Sequence, residues 1–245
     1  MSQLFPFRAL RPSPDTAARV ASVPYDVVNT DEARALSLKE PLSFLRVTRS
    51  EVDLPADTNP YDDRVYAKAV ENFTALKADA PLVEEVEPSL YFYRLKMGAH
   101  VQVGLAGCFS VDEYDRGLIK KHEKTRPDKE DDRTRHIVEL RAQTGVVFLT
   151  YRKSDAVNAI AARVLAGEPL YRFVADDQIS HELWRVVGAE ASALVQAFAA
   201  LPALYIADGH HRAASASRAQ AANRRRLLPW RSPIRKCRSC RTTAS

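Results

Sequence analysis

The amino-acid sequence predicts an α/β or α+β fold, a mixed sheet with flanking helices. Three observations carry the prediction. First, "SLYFYRLKMGAHVQVGLAGCFSV" and "LYRFVADDQISHELWRVV" each set strand-like runs on either side of a turn signal, Met97-Gly98-Ala99 in one and Asp176-Asp177-Gln178 in the other. Second, Tyr61, Val65, Ala69, Phe73 and Leu76 lay a single apolar stripe along a helix ending near Asp79. Third, "ALYIA" reads as a strand that leads through Asp208-Gly209-His210-His211-Arg212 into the helical pattern "RAASASRAQAA".

The remaining elements follow in chain order. "VPYDVVNTDEARALSLKEP" is an extended Pro-Tyr-Asp segment and then a helix, with Thr30 as N-cap, Asp31 and Glu32 in its first turn, and its end before Pro41. "LSFLRVTRS" reads as a strand. Asp131 to Gln143 reads as a helix that stops before Gly145, and "GVVFLTYR" as a buried strand after it. The alanine-rich "AEASALVQAFAAL" makes a further helix before Pro202. Residues 1–222 form the body, with a sub-boundary expected on length alone between about residues 80 and 120.

Charge separates that body from the last residues. The 245-residue chain carries a net charge of +5, yet residues 223–245 hold eight of its 36 basic residues and none of its 31 acidic ones. The preceding residues therefore carry 28 bases against 31 acids, a net of −3. The tail is expected to be disordered, and the acidic body gives little support to nucleic acid as a partner. Cys237 and Cys240 form a lone Cys-x-x-Cys there, without a second pair or a nearby His for a zinc site. No run reaches the roughly 18–20 apolar residues of a membrane span, and "MSQLFPFRALRPSPD" lacks a signal-peptide pattern. With three cysteines and no disulfide framework, a cytoplasmic address is expected.

Two polar clusters carry the chemistry. Asp208 to Arg212 sits at the carboxyl end of a strand and the start of a helix, where unpaired amides face outward. Gly209 permits close backbone approach, His210 and His211 add donors that titrate near neutrality, and Arg212 can fork onto a phosphate. Asp208, which would repel a phosphate, suits a metal ligand or a base. The other reading is an Asp-Gly turn beside two surface histidines. Upstream, "LIKKHEKTRPDKEDDRTRHIVEL" gathers His122, Glu123, Lys124, Thr125, Asp132, Arg133 and His136. His122 and Glu123 are adjacent, so in an extended chain only one of them faces a given ligand. "HEKTR" is not a zinc helix, since Arg126 stands where the second His would be.

Other candidates have ordinary explanations. The Tyr25-Asp26 turn packs its ring on the core, His181 satisfies a hydrogen bond on a strand, Trp184 is core, and Cys108 is a small buried apolar residue. The Gly-x-Gly fingerprint of a dinucleotide fold is absent.

"VPYDVV" at 23–28, "HEKT" at 122–125 with "DDR" at 131–133, "HELWRV" at 181–186 and "ADGHHR" at 207–212 together resemble the domain of unknown function 1015 family. The resemblance covers residues 5 to 220 and implies a chain shortened at its C-terminus. "ADGHHR" is in turn similar to the phosphate loop of the ParB and sulfiredoxin-like fold, as in free-serine kinases, an element that would lie near residues 200–222. That likeness implies a nucleotide- or phosphate-binding protein and a nucleotide-dependent phosphotransferase. Gly209, His210, His211 and Arg212, with Lys124, Thr125 and Arg133, would hold phosphates. Asp208, Glu123 and His122 would be catalytic, and Asp208 and Glu123 would serve as magnesium ligands. Magnesium and a nucleoside di- or triphosphate are the implied cofactors. The alternative is a non-catalytic nucleotide-sensing or nucleic-acid-associated module. No membrane partner and no particular oligomeric state is implied.

Overall fold

The computed structural model describes residues 3–225 and 237–244 and is a mixed α and β structure. In chain order its elements are β1 Leu4–Phe5, β2 Leu10–Arg11, α1 Ala17–Val20, α2 Thr30–Lys39, α3 Leu45–Thr48, a 3-10 turn Ser50–Asp53, α4 Asp63–Asp79 and β3 Val83–Glu84. They continue with β4 Leu90–Met97, β5 His100–Ser110, α5 Val111–Asp115, β6 Ile119–Lys120, α6 Pro127–Leu140, β7 Val147–Tyr151 and α7 Asp155–Leu165. The last are β8 Tyr171–Val174, β9 Ser180–Val186, α8 Gly188–Ala199, β10 Leu204–Asp208, α9 His210–Arg225 and β11 Cys237–Ala244. Of the basic tail, residues 226–236 and 245 lie outside the described residues.

The chain divides into two compact units, residues 1–9, 85–134 and 145–245 in one and residues 10–84 and 135–144 in the other. The smaller unit is mostly helical. A capping box opens α2: the Asn29 side chain accepts from the Glu32 amide at 2.9 Å, and the Glu32 carboxylate accepts from the Asn29 amide at 2.8 Å. The N-cap is thus Asn29, one residue before the expected Thr30, because Asn29 has the extended φ/ψ that lets its side chain reach back. Along α4 the stripe buries Val65, Ala69, Phe73 and Leu76 as expected, with Tyr66 in place of Tyr61, which precedes the helix and is 46% exposed. Of these, Ala69, Phe73 and Leu76 pack with Val20, Val47 and Leu140.

The expected strand at 42–50 is instead α3 and the 3-10 turn. Leu45 and Val47 are each 1% exposed, and an apolar run buried all round reads alike as strand or helical turn. Side chains decide the matter. Arg46 forks onto Asp53 at 3.1 and 2.8 Å, and Asn72 of α4 donates to both the Arg46 carbonyl and Asp53 at 2.7 Å. That closes the backbone into turns.

The larger unit is built on a nine-stranded sheet. Eight strands run in the order β6, β10, β7, β11, β5, β4, β9, β8, and β1 pairs with the far end of β5. Both expected hairpins form. Met97 pairs with His100 across a two-residue turn in which Gly98 has φ +57°, and Gln178 takes φ +63° between β8 and β9. One sheet face packs Phe92, Leu105, Leu149, Trp184 and Ile206 against Val157 and Ile160 of α7 and Leu194 and Phe198 of α8. Buried Trp184 donates to the Gly167 carbonyl at 2.7 Å, and Cys108 is buried, with no disulfide among the described residues.

Helix α6 begins at Pro127, four residues ahead of the expected Asp131, since proline suits a first helical turn. Helix α7 was not expected from the sequence. Its signals are Ser154, whose hydroxyl caps the Val157 amide at 3.4 Å, and the apolar spacing Val157, Ile160, Val164. No helix among the described residues is long and apolar enough to cross a membrane.

Candidate functional site

Strand pairing assembles the site. Short β6 lies parallel to β10, with Ile119 opposite Leu204 and Lys120 opposite Tyr205. Parallel strands end on the same side, so the chain leaving Lys120 and the chain leaving Asp208 emerge together, where open sheets commonly bind ligands. Only Gly209, at φ +88°, separates β10 from α9. The Ala213 amide donates to the Gly209 carbonyl at 2.8 Å, which makes Gly209 the N-cap and leaves the amides of His210, His211 and Arg212 in the first helical turn. Of the five junction residues, Asp208 ends the strand, Gly209 alone is the connection, and His210, His211 and Arg212 are helical.

His210 is buried at 4% exposure, not the surface histidine of the turn reading. Its Nε2 accepts the backbone N–H of His122 at 3.4 Å, so the ring proton resides on Nδ1, which faces Glu123 Oε2 at 3.4 Å. The His122 ring stands edge-on to it with centroids 4.4 Å apart, and His122 Nε2 lies 3.8 Å from Glu123 Oε1. Burial, and then the neighbouring His122, hold the His210 pKa below its ordinary value against the opposing pull of Glu123 and Asp208. The neutral ring can therefore keep its acceptor nitrogen. His211 repeats the device: its Nε2 accepts the Arg126 amide at 3.1 Å. Two successive imidazoles of α9 thus grip the 122–126 loop by its backbone.

His122 and Glu123 both face His210, because the chain bends at Glu123 once β6 has ended. Alternation holds only in extended chain.

The other sequence candidates have different places. Arg212 closes on the Asp208 carboxylate and donates through Nη1 to the Val146 carbonyl at 2.5 Å, with its side chain 13% exposed. It ties the start of α9 to the residue before β7. Thr125 donates its hydroxyl to the Glu130 carboxylate, and Arg133 pairs with Asp132 at 2.8 Å. Lys124 is exposed beside the cluster. His136, in the smaller unit, donates to the Val47 carbonyl at 2.9 Å.

Sequence reasoning missed the support around α9. Glu130 accepts from Thr125 and from Arg218 at 3.1 Å, Arg218 also holds Asp131, and Ser215 donates to the Glu130 carbonyl at 3.2 Å. Nothing in "DKEDDR" marks Glu130 apart from its acidic neighbours.

The donors available to an ion are two imidazoles and one carboxylate, all within 4.8 Å of one another. Magnesium takes close to six oxygen ligands. Since Asp208 is held by Arg212, the protein's own donors do not fit magnesium as a resident ion.

No curated protein and no solved structure matches the chain. A family model does match, over residues 4–236, and so takes in the paired strands, the 122–126 loop and the whole of the Asp208–Arg212 junction. The chain therefore belongs to the family described as Protein of unknown function (DUF1015).

Proposed function

We propose that this protein binds a nucleotide or another phosphate-bearing ligand where β10 passes through Gly209 into α9, and that it acts as a nucleotide-dependent phosphotransferase. The convergence of His122, Glu123 and buried His210 at the start of α9 carries this reading. Three first-turn amides and the positive end of a 16-residue helix favour an anion there, and exposed Lys124 adds charge. Glu123, 60% exposed, can accept the proton of an acceptor hydroxyl. The hydroxyl oxygen then attacks the terminal phosphorus of a nucleoside di- or triphosphate, and the shortened nucleotide leaves with the bond electrons.

His210 orients Glu123 through Nδ1–H, while Asp208 and Arg212 hold the junction in shape. Magnesium belongs to this reading only as the nucleotide's own counter-ion on its phosphates. The strand–glycine–helix order is also that of a ParB or sulfiredoxin-like phosphate loop, and kinship with that fold is part of the proposal, as is a cytoplasmic address.

Incubation of the protein with ATP, ADP or CTP, magnesium and a panel of small hydroxyl compounds tests the reading. A phosphate ester product supports transfer. Tight binding without turnover replaces the enzyme with a nucleotide-sensing module, and absence of binding removes both.

A further inference from the structure

We propose that His122, Glu123 and His210 form a three-ligand site for a divalent transition metal of the zinc class, with one further coordination position open to water or an anionic ligand. The proposal uses the same Glu123 carboxylate and His210 Nδ1 as the phosphoryl-transfer reading, so an ion held there occupies the base, and zinc binding measured without nucleotide tests this site separately from that reading.

Geometry is the first support. Each residue contributes one donor atom to a cluster in which all lie within 4.8 Å. His122 Nε2 to Glu123 Oε1 is 3.8 Å, and His210 Nδ1 to Glu123 Oε2 is 3.4 Å. Tetrahedral zinc with bonds of about 2.1 Å needs edges of about 3.4 Å, so both imidazoles close on a single Glu123 oxygen through rotations of the exposed His122 and Glu123 side chains.

Donor chemistry is the second. Two imidazoles with one carboxylate match three-ligand zinc sites that keep a position open, whereas an all-oxygen shell suits magnesium. His210 is buried, and its Nδ1 faces Glu123 Oε2 at 3.4 Å. The neighbouring carboxylates that could draw an ion elsewhere are occupied, Asp208 by Arg212 and Glu130 by Thr125 and Arg218.

The third is preparation and access. The parallel pairing of β6 with β10 and the grip of His211 on the Arg126 amide hold the loop over α9 before any ion arrives. His122 and Glu123, with side chains 59% and 60% exposed, leave an entry path from solvent. Ligation through His210 Nδ1 moves its proton to Nε2 and releases the His122 amide. That hydrogen bond, at 3.4 Å, is long and inexpensive to lose.

The test uses the full chain, stripped with a chelator. Zn²⁺ is titrated alone against a chromophoric chelator, Co²⁺ serves as a spectroscopic probe, and Mg²⁺ as a competitor. The expected result is one tightly held ion per chain, visible bands of four-coordinate cobalt, and no displacement by excess Mg²⁺. His122→Ala and Glu123→Gln lie on the exposed loop and should fold. His122→Ala should weaken zinc by at least ~100-fold, while Glu123→Gln should weaken it by ~10-fold or more. The control His100→Ala, at the exposed β4–β5 turn, should leave affinity unchanged. No zinc binding, an affinity in either loop variant unchanged from that of the unsubstituted chain, displacement by Mg²⁺, or loss of the ion in His100→Ala would each overturn the assignment.

Discussion

The guanidinium of Arg212 folds back onto the carboxylate of Asp208, four residues earlier, and Gly209 between them is what leaves room. A Cβ at Gly209 would lie 3.0 Å from Arg212 Nε and 3.1 Å from Cζ, in a backbone at φ +88° that side-chain-bearing residues rarely adopt. Gly209→Ala should therefore destabilise the protein by about 1–3 kcal/mol. A urea unfolding curve checks this, and an unchanged midpoint would show that the junction is not strained by a side chain.

Arg212 has its hydrogen bonds inside the protein, so its loss should register first in stability. Arg212→Ala leaves the Val146 carbonyl and Asp208 without their donor and should cost about 1–3 kcal/mol. Nucleotide affinity should fall with it, because the α9 start loosens. Thermal melts and nucleotide titrations on the same variant separate the two effects: affinity lost with no change in melting would instead make Arg212 a direct phosphate ligand.

Glu123 is the group placed to take a proton. Glu123→Gln keeps its size and should lower turnover by about 10²–10⁴ while leaving nucleotide affinity nearly unchanged. Steady-state kinetics beside equilibrium binding decide it. A parallel loss of both would make Glu123 a binding residue rather than a base.

Away from the site, Glu182 on β9 is 7% exposed and lies between Arg94 Nε at 2.6 Å and Arg172 Nε at 2.9 Å. The hydrogen bond from Arg94, with that from Arg172, holds its carboxyl below the usual value of 4.5 despite burial. A folded pKa below the unfolded one means that the unfolded chain binds the proton first in acid. The stabilisation is complete above the unfolded value and is lost as pH falls through the folded one. Unfolding midpoints should drop as the pH falls below the usual carboxylate value of 4.5, and Glu182→Gln should flatten that slope at a cost of about 1–3 kcal/mol at neutral pH. An unaltered slope in the variant would place the acid sensitivity elsewhere.

Much of the fold was legible because its signals are local. The β4–β5 and β8–β9 hairpins announce themselves at Gly98 and Asp176-Asp177-Gln178, and α4 shows its stripe through Val65, Ala69, Phe73 and Leu76. Residues 42–50 misled because Leu45 and Val47 are both buried, so a two-residue spacing mimicked a strand while Asn72, far along the chain, closed the turn. The α7 helix went unseen although Ser154 caps it.

By itself the sequence determined which residues could carry chemistry, His122, Glu123 and His210 among them, and that a strand would lead into a helix at Gly209. Tertiary structure alone decided their partners. Whether an imidazole meets a carboxylate, a backbone amide or solvent depends on distances across parallel strands β6 and β10, which bring His122 onto His210 from 88 positions away. Local spacing is blind to such contacts, and for that reason the clasp of Arg212 on Asp208 and Val146 could not be read from the sequence.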